Sequence, residues 1–203
     1  MFTSDTGQKE LLEAIWRLAF IAEYREGNNQ GHLERMRGYV FTLARGLGLP
    51  QKEVHIIATA SVLHDVGKAG LADALVLKEG YYTAAEMDAF KKHTWNGCEM
   101  LKDAHSPYLQ AGECIALNHH ERWDGSGYPN GLRGEAIPLS ARIVAVADTF
   151  DALTTQRPYK KAITPEAAQG LIQEAVAVLF DPQLVQVFNE EFGEIQRIRR
   201  GKR

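Results

Sequence analysis

Val62-Leu63-His64-Asp65-Val66-Gly67-Lys68 is the stretch around which the chain is organised. An apolar run ends in a His-Asp pair, and glycine and lysine follow at once. Imidazole and carboxylate are first-row metal ligands. A carboxylate has two oxygens, so Asp65 can bridge two metals while His64 holds one. Gly67 is expected to end the helix, because glycine tolerates the left-handed conformation just beyond a last turn. Lys68 then sets a cation beside the site. The alternative for such a pair is structural, a buried histidine with a carboxylate partner, and the other histidines decide between the two.

On the N-terminal side, a helix from Gln51 to Val66 carries Val54, Ile57, Ala58, Ser61 and Val62 at helical spacing and delivers His64 and Asp65 at its last turn. Before it, a helix from His32 to Leu47 presents Met36, Val40, Leu43 and Ala44 on one face and stops at Gly46, Gly48 and Pro50. Residues 8–26 form an amphipathic helix through Leu11, Leu12, Ile15, Trp16, Ala19 and Phe20, broken by Gly27-Asn28-Asn29-Gln30-Gly31. On the C-terminal side, 67–80 is an irregular connection, and Thr83 to Glu86 is a capping box opening a helix toward His93. Another helix covers Asn96 to Ala104, and one starting at Pro107 runs to His119-His120. Residues 121–138 are a long loop rich in glycine and proline, of the kind that is usually functional in a compact domain. Leu139 to Leu153 is an apolar helix carrying Asp148 and Asp151. Thr164-Pro165 starts the next helix. A last helix follows Phe180-Asp181-Pro182 to Phe192, and the basic tail Arg197 to Arg203 is expected to be solvated. With no alternating strand pattern and no repeat, the fold class is all-α, a bundle of about eight or nine helices.

The chain has 203 residues, 45% of them hydrophobic and 24% charged, which suits one soluble domain, either alone or with an extension. No apolar run reaches membrane-spanning length. The start, Met1-Phe2-Thr3-Ser4-Asp5, lacks the basic and apolar regions of a signal peptide. Cys98 and Cys114 make no disulfide framework; buried free thiols in a reducing cytoplasm are expected. A net charge of −3 argues against binding a nucleic-acid polymer, so an anionic ligand needs local cations or metals.

Of seven histidines, His32, His64, His93, His119 and His120 fall at helix ends or beside breaks. His55 and His105 do not, and are read as surface residues. Helical bundles build metal sites from side chains projected inward by several helices. Neighbours on a helix point about 100° apart, so His119 and His120 reach one site only at a helix end or where two metals share it. Asp148 lies within the apolar run Ile143 to Ala147, where a buried carboxylate needs a metal or an Arg or Lys partner.

The motifs resemble those of the HD-GYP domains, a branch of the HD phosphohydrolase superfamily. His64-Asp65 with Gly67-Lys68 matches HDxGK. His119-His120-Glu121-Arg122-Trp123-Asp124-Gly125-Ser126-Gly127-Tyr128-Pro129 matches HHExWDGxGYP. Ile137-Pro138-Leu139, Ala141-Arg142-Ile143, Asp148 to Thr154, and Arg157-Pro158-Tyr159-Lys160 match the segments that follow. The resemblance covers residues 28 to 188. It implies a phosphodiesterase that linearises cyclic di-GMP to pGpG, with or without a further step to GMP, in bacterial second-messenger signalling. It implies metal ligation by His32, His64, Asp65, His93, His119, His120 and Asp148, with Asp65 and Lys68 as catalytic groups. Lys68, Tyr128, Arg157 and Lys160 are implied to hold the substrate. The metals it implies are iron or manganese; the donor set also suits Zn, Co or Ni. Trp123 is read either as a stacking surface for guanine or as a core aromatic.

One departure matters. Many members carry an acidic residue four positions before the first ligand histidine, as part of a third metal site. Here that residue is Asn28, a poor ligand for a hard cation, so a two-metal site is expected. Leu71-Ala72 stands where Ile-Pro is usual. The domain plan is a linker or signalling helix over 1–27, an HD-GYP domain over 28–193 and a basic tail over 194–203. The resemblance allows a sensor or receiver domain, a GGDEF protein, or a second copy through the N-terminal helix as partner. Two alternatives stand beside the hydrolase: a cyclic di-GMP receptor or interaction module with weak or no turnover, and an HD hydrolase of another nucleotide.

Overall fold

The computed structural model describes residues 5–26, 30–156 and 161–201. Among the described residues there are ten α-helices and no named strand: α1 (Asp5–Glu23), α2 (Gln30–Gly46), α3 (Gln51–Ala60), α4 (Asp73–Val76), α5 (Ala84–Leu101), α6 (Pro107–Asn118), α7 (Leu139–Thr154), α8 (Pro165–Glu174), α9 (Pro182–Glu190) and α10 (Phe192–Arg199). The all-α reading holds. Short 3-10 turns cover Tyr24–Glu26, Ser61–Leu63, Val66–Gly70 and Gly134–Ala136.

Two apolar clusters hold the bundle. The larger joins Met36, Tyr39, Val40 and Leu43 of α2 to Ile57 of α3, Val146 and Phe150 of α7, and Leu184 and Phe188 of α9. The smaller joins Ile15, Ala19 and Ala22 of α1 to Leu33, Val62, Leu63, Val66 and Leu101. Each fully buried Leu, Ile or Phe contributes roughly 1.5–3 kcal/mol. The chain passes from one cluster to the other at the quoted stretch, since Ala60 lies in the first and Val62 in the second.

Several boundaries differ from the expectation. Helix α3 stops at Ala60, six residues early, because Ser61 turns its hydroxyl back onto Ala58 O at 2.8 Å and the chain tightens into the 3-10 turn. Asp65 then sits at φ −104°, ψ 10°, outside the helical region. Gly67 is no left-handed helix stop. A Cβ there would lie 1.9 Å from His93 O and 2.3 Å from Gly97 N, so glycine is required for the close approach of α5. The two helices expected over 83–104 are one, α5, opened by the capping box in which Glu86 N donates to Thr83 Oγ1 and Thr83 N to Glu86 Oε2. Helix α10 runs through Arg199, so the first three residues of the tail expected to be solvated are helical; Ile195 is buried and Arg199 donates to Thr154 O. Cys98 and Cys114 are free but only half-buried.

Candidate metal centre

Ending α3 early re-aims two adjacent side chains. His64 Nδ1 donates to Ser61 O at 2.9 Å, and its Nε2 lies 3.3 Å from Asp65 Oδ2. Helix α5 brings His93, whose Nδ1 donates to Phe90 O at 2.8 Å, with Nε2 3.5 Å from Asp65 Oδ1. Helix α6 ends at Asn118, and His119, its C-cap, donates Nδ1–H to Ile115 O and Ala116 O, each at 3.1 Å. Its Nε2 is 3.7 Å from Asp65 Oδ1. In all three rings the bond at Nδ1 turns Nε2 inward, and in His93 and His119 it leaves Nε2 as the lone-pair nitrogen.

His120 is the residue after the cap, and its ring lies 4.0 Å from that of His119. The helix end is thus what lets both reach one place. Ligand atoms of Asp65, His93, His119 and His120 fall within 4.8 Å of one another, and so do those of Glu23, His32 and His64. The two groups adjoin through the neighbours His64 and Asp65. Asp148 is on the same side, 3.9 Å from His64 Nε2, and its side chain is 24% exposed. It opens onto the site and has not the full burial the apolar run around it suggested.

Four buried atoms here have no hydrogen-bond partner: Nε2 of His64, His93 and His119, and Oδ1 of Asp65. Leaving such a group unsatisfied costs about 1–3 kcal/mol. Four of them converging from three elements is the signature of a cation site, and a set of imidazole nitrogens and carboxylate oxygens suits a first-row divalent metal.

The electrostatics agree. Burial holds His119 well below its ordinary pKa, lowers His93 and takes His120 down to about 4, so all three are neutral ligands near pH 7. Burial opposes protonation of His64 too, but the Asp65, Asp148 and Glu23 carboxylates outweigh it and push its pKa up to about 10. The space beside His64 therefore draws in positive charge. Burial also works against ionising Asp65, yet Lys68 and His64 hold its pKa well below the usual carboxylate range. Lys68 Nζ is 2.8 Å from Asp65 Oδ2 and is itself buried.

Two participating groups escaped the sequence reading. Asp151 accepts from His32 Nδ1 at 2.7 Å and from Arg35 Nε and Nη2 at 2.6 and 2.9 Å, which orients His32 as an outer carboxylate orients a ligating imidazole. Its period-3 offset from Asp148 on α7 was the available signal. Glu23, 3% exposed, comes from the end of α1 and had no signal beyond its place on a helix.

The long loop has its own frame. Glu121 is buried and accepts from Asn130 N at 2.7 Å and Leu132 N at 3.0 Å. A Cβ at Gly127 would lie 2.4 Å from Arg122 N, so the loop closes on itself only with glycine there. The result stacks the Tyr128 ring on His120 at 4.7 Å with the planes inclined by 30°, and Lys91 Nζ lies 5.5 Å from the tyrosine ring. Trp123 is half-buried, lies against Arg142, donates its main-chain N–H to Leu179 O and belongs to neither apolar cluster. Arg157 and Lys160, like Asn28, lie outside the described residues. His55 and His105 are exposed.

Residues 18 to 184 match the HD domain family. The chain belongs to the HD-domain family. Its HDxGK and GYP segments set it in the HD-GYP branch. A cyclic di-GMP phosphodiesterase response regulator of Xanthomonas campestris is 47% identical over 92% of this chain and 49% of its own length. A cyclic di-GMP phosphodiesterase of Thermotoga maritima is 42% identical over 88% of this chain and 48% of its own. This HD-GYP chain thus spans about half the length of these curated relatives. Among solved structures, a cyclic GMP-AMP specific phosphodiesterase of Vibrio cholerae shares the fold with a TM-score of 0.64 at 20% identity, over 95% of this chain and 50% of that one. An HD-GYP protein of Bdellovibrio bacteriovorus does so at 0.62, over 91% and 63%. No helix among the described residues is long and apolar enough to cross a membrane.

Proposed function

We propose that this domain is a metal-dependent phosphodiesterase that opens cyclic di-GMP to linear pGpG. The observation that carries the reading is that His93 and His119 turn Nε2 toward Asp65 Oδ1 while His64 turns Nε2 toward the other oxygen of the same carboxylate, with these three nitrogens and Oδ1 buried and without hydrogen-bond partners. The substrate follows from the relatives at 47% and 42% identity, whose names specify cyclic di-GMP.

His32, His64, Asp65, His93, His119, His120 and Asp148 are the ligands of two divalent ions, iron or manganese. When bound, such ions supply Lewis-acid charge to phosphate oxygens and lower the pKa of water. The protein's part is positioning and electrostatics, which dominate phosphate-ester chemistry. Asp65 turns one oxygen toward His93 and His119 and the other toward His64 and Lys68. Lys68, held at that carboxylate, presents a preorganised cation where negative charge grows on the phosphate. Tyr128, stacked on His120, lines the groove by which the nucleotide enters. Arg157 and Lys160 bind its phosphates, the first as a planar fork and the second as a point charge. Exposed Leu18, Ile21 and Tyr24 on α1 and the turn after it support contact with a sensor domain, a GGDEF protein or a second copy.

The test is turnover of cyclic di-GMP by protein loaded anaerobically with Fe(II) or Mn(II), products separated by chromatography. Accumulation of pGpG is expected. Tight binding without product at full metal content would replace the hydrolase with a receptor. A relative 39% identical is named for 3′3′-cGAMP, so the two cyclic dinucleotides are compared in the same assay; preference for the mixed one would change the substrate and keep the chemistry.

A further inference from the structure

Helix α1 ends against the metal centre. Glu23, on its last turn, is 3% exposed, and a carboxylate oxygen lies within 4.8 Å of ring nitrogens of both His32 and His64. Three separate elements deliver these groups: α1, α2 and the turn after α3. One carboxylate oxygen with two imidazole nitrogens is a donor set for a first-row divalent ion.

The end of α1 is held there by more than packing. Arg25 donates to Leu71 O at 3.0 Å and to Lys68 O, and pairs with Asp73. It thereby ties α1 to the 3-10 turn that carries Lys68. Ile15, Ala19 and Ala22, all buried, fix the helix upstream.

We propose that Glu23 is a cation ligand, so that α1 completes the Glu23–His32–His64 half of the centre and that half keeps its ion only while α1 is docked. This rests on the metal-centre reading above. It makes the N-terminal helix part of the site, and a displacement of α1 by whatever adjoins it becomes a change in metal occupancy.

The test compares the full chain with Glu23→Gln, which keeps the shape and removes the charge. Both are stripped, loaded with Mn(II) and assayed for bound metal by elemental analysis and for affinity by titration. Wild type is expected to hold two ions, and Glu23→Gln one, with the retained ion at wild-type affinity. Hydrogen exchange in α1 is expected to slow on loading in wild type and to be indifferent to metal in the variant. Equal stoichiometry, with affinities within twofold, would overturn the assignment and leave Glu23 a structural carboxylate. A wild type that binds no ion would sink the metal-centre reading itself, which is a different result. Should Glu23→Gln not fold, Glu23→Asp retains charge with a shorter reach. It is expected to weaken the second ion at least tenfold, and undiminished affinity there would be equally fatal.

Discussion

The two halves of the metal centre are built by different means. In the half formed by Asp65, His93, His119 and His120, His93 and His119 are oriented from within their own helices, by carbonyls three or four residues back. In the half formed by Glu23, His32 and His64, the ring of His32 is oriented by Asp151, 119 residues away, which Arg35 grips in turn. One half is local and nearly complete once α5 and α6 pack. The other exists only when α1, α2 and α7 are all in register. The contrast gives each half its own way to fail.

The largest effect is expected where the halves meet. Asp65→Ala removes the carboxylate that faces His64 on one side and His93 and His119 on the other. Losing an outer partner of a metal ligand costs about 10–100-fold in affinity or activity, so losing a shared carboxylate costs more than that. Metal content near zero and turnover below one-hundredth of wild type are expected, with helicity by circular dichroism unchanged. Wild-type metal content in Asp65→Ala would dissolve the idea of a shared centre.

Gly67→Ala breaks the local half alone. The added methyl would sit inside van der Waals contact with His93 O and Gly97 N, and α5 must back away, carrying His93 with it. Overpacking of this kind costs about 1–3 kcal/mol or more. A lower melting temperature and loss of the ion at His93, His119 and His120 are expected together. An unshifted melt would mean that α5 does not approach so closely.

Asp151→Asn tests the long-range half. The amide keeps the size but gives up the charge that faces Arg35 and His32. About 10–100-fold weaker binding of one ion is expected, the ion at His93 and His119 being unaffected. Equal weakening of both ions would show that the halves do not act separately.

The same contrast explains what the sequence made legible. His64-Asp65, His119-His120 and the Gly-Tyr-Pro loop are contiguous motifs, and their geometry follows from helix ends a few residues away. Glu23 carries no local mark and Asp151 only its offset of three from Asp148, since each acquires its partner only when distant elements pack. The same is true of Gly67, which reads as a helix stop along the chain and is in fact a gap left for another helix. Helix α5 runs unbroken through Thr94-Trp95-Asn96-Gly97, residues of modest helix propensity, because packing against α6 and the turn below it outweighs propensity. Helix α10 reaches Arg199, into the tail expected to be solvated, for a similar reason: Ile195, buried just upstream, is found by packing and not by composition.

The last expected effect concerns protons. His93, His119 and His120 are neutral near pH 7, so a cation entering the local half displaces none from them. His64 holds a proton up to about pH 10, because three carboxylates overcome the effect of its burial. A cation bound through His64 must expel that proton. Affinity of the long-range half should therefore rise about tenfold per pH unit between pH 6 and 8, while that of the local half stays nearly level. Calorimetry in two buffers of different ionisation enthalpy reads the difference as protons released per ion. The sign for stability runs the other way in chelator-treated protein. A folded pKa raised above the ordinary value of about 6.5 adds stability that is complete below that pH and lost as pH climbs toward 10. Stripped protein should thus melt lower as pH rises through that window, and metal should flatten the slope. Two ions with one common pH dependence would show that His64 serves both halves equally, and the division between a local and a long-range half would fall.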